Sequence, residues 1–140
     1  MLVHWNQPGR CVRTIEAFAS QGVDARVLVV DNGSEAQALV RLRAGLVAGG
    51  LPVELIELGR NTGFGPAANV GFRRWLEEGE GEWVALAPHD ALPACGTLPA
   101  MIRAAEERPR AGLVCADVGD GQVPVVDPDF GGMKVPAAAT

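Results

Sequence analysis

The chain has 140 residues, with 12 basic and 17 acidic side chains and a net charge of −5. That length suits one domain with a substantial core, and no apolar run nears the roughly 20 residues that span a bilayer. The acidic balance argues against a general nucleic-acid binder, which needs a basic face, but allows an anionic small ligand held by backbone N–H groups. The N-terminus lacks a basic stretch before an apolar block, so a soluble, cytoplasmic protein is expected. Cys11, Cys95 and Cys115 are odd in number and share no CxxC spacing, which argues against structural zinc or a disulfide framework. His4 and His89 are the only histidines, and neither lies in a nucleophile-elbow context.

The elements alternate. Leu2 to Trp5 reads as a short strand, and Asn6-Gln7-Pro8 opens a helix with Pro in its first turn. Val12, Ile15, Phe18 and Ala19 give that helix an apolar face, and Gly22 ends it. Arg26 to Asp31 is the second strand, a short apolar run of the kind buried in parallel sheets. Ser34 followed by Gln37 predicts a capping box, so a helix should start there and carry Leu39, Leu42 and Leu46 inward as far as Gly49-Gly50. Pro52 to Leu58 is the third strand. A Gly-rich loop, residues 59–66, then enters a helix near Pro66 that runs to about Glu78. Trp83 to Ala87 is the fourth strand, Thr97 to Arg108 a helix, and Gly112 to Asp117 a fifth strand. This order predicts an α/β fold, a doubly wound, mostly parallel sheet of five strands with helices on both faces. Residues 1–118 form the expected domain. Residues 119–140 read as an irregular tail, in a chain that looks cut at both ends.

In such a sheet, ligands bind outside the carboxyl ends of the strands. Asn6, Asp31 and Asp90 follow the first, second and fourth strands, and the Gly-rich loop follows the third, so all four converge on one edge. Asp31 suits a hydrogen bond to a base or ribose, or simply helps to turn the chain. Gly63 and Gly65 let backbone approach a ligand beside a helix N-terminus, or serve only a tight turn. No GxGxxG follows the first strand and no Gly-Lys-Ser/Thr occurs, which demotes NAD-linked and P-loop functions. Asp90 can hold Mg²⁺ or Mn²⁺ when a diphosphate supplies other oxygens, with His89 a hydrogen-bonding neighbour more than a ligand. Trp5, Trp75 and Trp83 read as core.

Taken together, four segments resemble the nucleotide-binding half of a family 2 glycosyltransferase with the GT-A fold. They are Val3-His4-Trp5-Asn6-Gln7-Pro8, Val29-Val30-Asp31-Asn32-Gly33-Ser34, the run Asn61-x-Gly63-Phe64-Gly65-x-Ala67-x-Asn69-x-Gly71, and Trp83 to Asp90. The resemblance covers roughly residues 2 to 118. It implies a nucleotide-diphosphate-sugar site containing Asn6, Asp31, Asn32, Asn61, Gly63, Gly65, Asn69, His89 and Asp90. Asp31 would bind the nucleobase or ribose, and Asp90, the last acid of a DxD pattern, would help hold a metal-diphosphate. Pro88 stands at the first DxD position and cannot ligate metal.

The implied activity is transfer of the sugar, with inversion, to a hydroxyl of a glycan, lipid-linked or small-molecule acceptor. The family's acceptor region and catalytic base lie beyond the fifth strand, so no base is assigned. Asp127 and Asp129 read as tail acids. The alternative is a non-catalytic remnant or nucleotide-binding module without the acceptor half, which leaves enzyme status open. A half-domain with uncovered apolar surface is also expected to form a homodimer or to self-associate.

Overall fold

In the computed structural model, the residues described are 1–50, 52–79 and 81–116, together with the backbone of 125–126 and 133–134. The chain divides into two compact units, residues 1–102 and 103–140.

The first unit is built on four short strands: β1 (Leu2–His4), β2 (Val27–Asp31), β3 (Val53–Glu57) and β4 (Ala87–Pro88). All pairings are parallel and the spatial order is β3-β2-β1-β4. Side chains alternate along each strand, so one sheet has two faces to cover. Leu2 and Val29 face a core made with Cys11 and Ile15 of α1 (Pro8–Ala19) and Leu42 of α2 (Ala36–Ala48). Val3 and Val30 face the opposite way, onto Ala67 and Ala68 of α3 (Phe64–Glu78). This is the doubly wound arrangement expected from sequence. Its connections switch faces between β1 and β4, the place where such sheets open a crevice. The helix α4 (Thr97–Glu106) follows β4.

Trp5 and Trp83, read as core, are 48% and 42% exposed, and three expectations about the elements need correction. The sheet has four strands, not five. Residues 113–116 of the expected fifth strand form no strand and Leu113 is 81% exposed, while Asp117 lies outside the described residues. The fourth strand is also shorter than Trp83 to Ala87. Register sets Leu2 opposite Ala87 and Val3 opposite Pro88, so the ladder is spent within two residues. Upstream of it, Ala85 receives only the terminal amine of Met1, at 2.8 Å.

The capping box, third, does not form. Ser34 is claimed by Asp31, α2 starts two residues later, and its N-cap Glu35 makes no side-chain capping bond. The expected tail, residues 119–140, falls mostly outside the described residues, but Val125–Val126 and Met133–Lys134 pair as a short antiparallel ladder.

Candidate functional site

The tips of β1 and β2 are joined by a buried polar cluster. His4 and Asp31 are 0% and 1% exposed, and Nδ1 of His4 lies 2.8 Å from Oδ1 of Asp31. Nε2 of His4 accepts the N–H of Gln7 at 3.2 Å, so the proton sits on Nδ1 and is donated to the carboxylate. The same Oδ1 accepts the Ser34 hydroxyl at 2.5 Å, and Oδ2 accepts the Ser34 N–H at 3.0 Å. Burial is the largest influence on His4 and lowers its pKa, outweighing the pull of Asp31 toward the charged form. Asp31 is therefore where the sequence put it, at a strand tip, yet its carboxylate is occupied within the protein.

Asn6 adopts φ 53°, a left-handed conformation that asparagine tolerates better than most residues. Its N–H donates to Ser34 Oγ at 2.9 Å, and its Oδ1 accepts the N–H of Glu35 at 2.8 Å. The orphan donor at the start of α2 is thus satisfied by a side chain from the loop after β1.

A second clamp joins β2 to the Gly-rich loop. Oδ1 of buried Asn32 accepts the N–H and hydroxyl of Thr62 at 2.9 and 3.0 Å, while Nδ2 donates to Oδ1 of Asn61 at 3.1 Å. That Asn61 oxygen also accepts the N–H of Gly63, at 2.9 Å. Between the clamps sits Gly33, at φ +72°, where a Cβ would overlap the backbone of Arg60. Gly63, at φ +89°, lets the loop turn into α3, whereas Gly65 faces open space. Asn69 is exposed on α3 and shares none of the hydrogen bonds described here.

The tip of β4 is built differently. Nδ1 of His89 lies 3.2 Å from the carbonyl of Val3, while its Nε2 is buried with no partner among the described residues. The His4 and His89 rings meet edge to face, with centroids 5.5 Å apart. The Thr14 hydroxyl of α1 donates to the His89 carbonyl at 2.8 Å. Asp90 is half-exposed, and Arg10 lies 3.6 Å from its Oδ2. An open cleft of about 240 Å³ is lined here by Arg10, Arg13, Thr14, Asp90 and Leu92. Asp90 is its only carboxylate, and no group of three His, Cys, Asp or Glu side chains suited to a metal occurs among the described residues. Such a site fits only an ion that draws most of its ligands from elsewhere.

Comparison with known families matches residues 2–128 to the family described as glycosyl transferase family 2. The chain belongs to glycosyltransferase family 2. Two solved structures share its GT-A fold. One is TarS of S. aureus, 23% identical with a TM-score of 0.58, the match covering 76% of this chain and 19% of that one. The other is TarS 1–349 of S. aureus, 20% identical with a TM-score of 0.61, covering 88% of this chain and 39% of that one. The chain thus spans less than half the length of either. No curated protein matches it.

Against the family pattern, sequence reasoning found the four strand tips, with Asn6, Asn32 and Asn61, but missed the parts that His4 and Ser34 play in organising them. His4 was visible as one of two histidines and as part of the first motif, but its pairing was not, because Asp31 lies 27 residues away. Arg10 and Arg13 did carry a local signal. Arg10 falls in the first turn of α1, where the helix dipole disfavours cations, and Arg13 follows it at i+3 on the same face.

Proposed function

We propose that this chain is the donor-binding part of a glycosyltransferase, holding a nucleotide-diphosphate sugar for inverting transfer to a hydroxyl acceptor. One observation carries the reading beyond family membership. The tips of all four strands lie on one sheet edge, with three of them tied together through Asp31 and Asn32. In this reading Asn6, Asp31, Asn32 and Asn61 shape the nucleoside end, Gly63, Gly65 and Asn69 border it, and His89 and Asp90 lie at the diphosphate end. Asp90 would hold Mg²⁺ or Mn²⁺, since one carboxylate suffices for an ion whose other ligands are diphosphate and water oxygens. Such an ion supplies charge neutralisation for a departing diphosphate.

A second reading, a nucleotide-binding module without transfer activity, is favoured by Pro88 at the first DxD position. Self-association is part of the proposal too, supported by Val40 and Val47, 61% and 82% exposed on α2. Light scattering at high concentration should show a dimer, and a clean monomer removes that part. No described helix is long and apolar enough to cross a membrane.

The test is thermal unfolding with UDP, GDP, dTDP and their sugar conjugates, with and without Mn²⁺. Ligand at about 100 times its dissociation constant adds roughly 2.7 kcal/mol, a midpoint shift of about 2–8 °C for domains of this size. A shift with one nucleotide that Asp90→Asn reduces supports donor binding through Asp90. No shift with any nucleotide, from a cooperatively folded sample, rejects both readings. Binding without transfer or hydrolysis of any bound sugar conjugate selects the second.

A further inference from the structure

We infer that Arg10 and Arg13 form a binding site for the terminal phosphate of a diphosphate ligand, in the cleft between α1 and the loop after β4. The inference deepens the donor-binding reading and rests on it for the nucleoside, but not for the phosphate.

Arg10, Arg13 and Thr14 are spaced i, i+3 and i+4, so α1 presents them on one face. The Thr14 bond to the His89 carbonyl pins that face against the loop, so both arginines line the cleft beside the β4 tip. Neither cation is well placed for stability alone. The first turn of α1 has no acidic residue to offset Arg10, and the helix dipole opposes positive charge there. Arg10 reaches Asp90 only at 3.6 Å, with the two side chains 56% and 46% exposed, a geometry that contributes little. Arg13 has no carboxylate partner among the described residues. Two cations against one carboxylate leave the cleft with net positive charge inside an acidic protein.

Phosphate answers each of these features. Its oxygens match the planar donor fork of a guanidinium, and the dipole that disfavours arginine favours an anion. The cleft, about 240 Å³, is smaller than the roughly 300–1,000 Å³ of pockets that enclose whole drug-sized ligands, so it takes a fragment. Pro88 contributes no second carboxylate, which removes the repulsion a phosphate would meet from an acidic pair. Arginine thus carries charge neutralisation that a single Asp90 and its ion would share, and diphosphate binding persists without metal.

The experiment is calorimetric titration of the full chain with inorganic pyrophosphate, and with UDP, GDP and dTDP and their monophosphates, in EDTA and then in Mn²⁺. It is run on the parent chain, on Arg10→Gln, Arg13→Gln and the double variant, and on Arg41→Gln as a control on exposed α2. In EDTA the nucleotide that binds should bind as diphosphate about tenfold more tightly than as monophosphate, the effect of one charge-assisted hydrogen bond. The double variant should lose most of that preference with its monophosphate affinity intact, and Arg41→Gln should keep it. If the double variant melts early, the single variants decide by the same ratio. Arginine-dependent binding of pyrophosphate with no nucleotide preference upholds the phosphate site and rejects the donor reading. The inference is overturned by a preference that survives in the double variant, or by the absence in EDTA of both the preference and pyrophosphate binding.

Discussion

The tips of β2 and β4 lie on the same sheet edge and have opposite characters. At β2, both carboxylate oxygens of Asp31 and both amide atoms of Asn32 have partners within the chain. At β4, His89 keeps a buried nitrogen without a partner among the described residues, and Asp90 and Arg10 meet half in solvent. The β2 tip is bonded internally, by bonds that are costly to leave unmade. The β4 tip holds the unspent capacity a ligand would use. A segment can therefore resemble a binding motif closely and still spend its side chains on shaping the loops around the site.

The hardest way to break this contrast is at Gly33. Gly33→Ala must accept a positive φ and a Cβ against the Arg60 backbone, which no rotamer change relieves. Strain and overpacking together should cost roughly 2–6 kcal/mol, read as a lower denaturant midpoint. Gly65→Ala, with open space around it, should hold stability or raise it by up to about 1 kcal/mol. Equal losses at both glycines would mean that the β2–loop contact is not built as described.

Asp31→Asn comes next. The amide keeps the shape but replaces acceptor capacity with a donor facing the His4 and Ser34 donors. A loss of about 1.5–3 kcal/mol is expected from equilibrium unfolding, and a neutral result would move Asp31 from scaffold to ligand.

Protonation probes the same cluster. The folded chain holds His4 neutral, with its pKa lowered below the ordinary 6.5 by burial. The unfolded chain binds that proton more readily, so the His4 contribution is fully present above about pH 6.5 and declines as pH falls toward the lowered value. Unfolding midpoints against pH should show the decline, and His4→Gln should flatten it. A slope identical in both proteins would exclude His4 as its source.

The smallest effect is expected at β4. His89→Leu loses one neutral bond to Val3 and also removes a buried, unpartnered nitrogen. The two nearly offset, leaving stability within about 1 kcal/mol of the parent. A loss as large as that of Asp31→Asn would show that the two tips are equally structural.

How much of this could be read in advance depends on the range of the interaction. Val27 to Asp31 was legible as a buried strand because its apolar run is local, and Leu39, Leu42 and Leu46 declared the inner face of α2 by spacing. Ser34 misled because the bonds that claim it come from Asp31 and, 28 residues away, from Asn6. Trp83 to Leu86 misled for another reason. Apolar content suggests a strand, but only a neighbouring edge makes one, and β1 offers β4 just two paired residues. At the site, the polar strand tips were visible one by one. Their division into occupied and available groups was not, since it depends on contacts between segments far apart in sequence.

The place of β1 in the sheet has a consequence for how the chain comes together. Of these four strands, the earliest in the chain lies between β2 and β4, and its pairing with β4 joins Leu2 to Ala87. During synthesis one flank of β1 can close on β2 once residues 27–31 emerge, while the other waits for residues 87–88. The longer closure carries the larger entropy cost and returns only two paired residues for it. This edge, which borders the crevice between β1 and β4, therefore gains the least pairing for its closure cost.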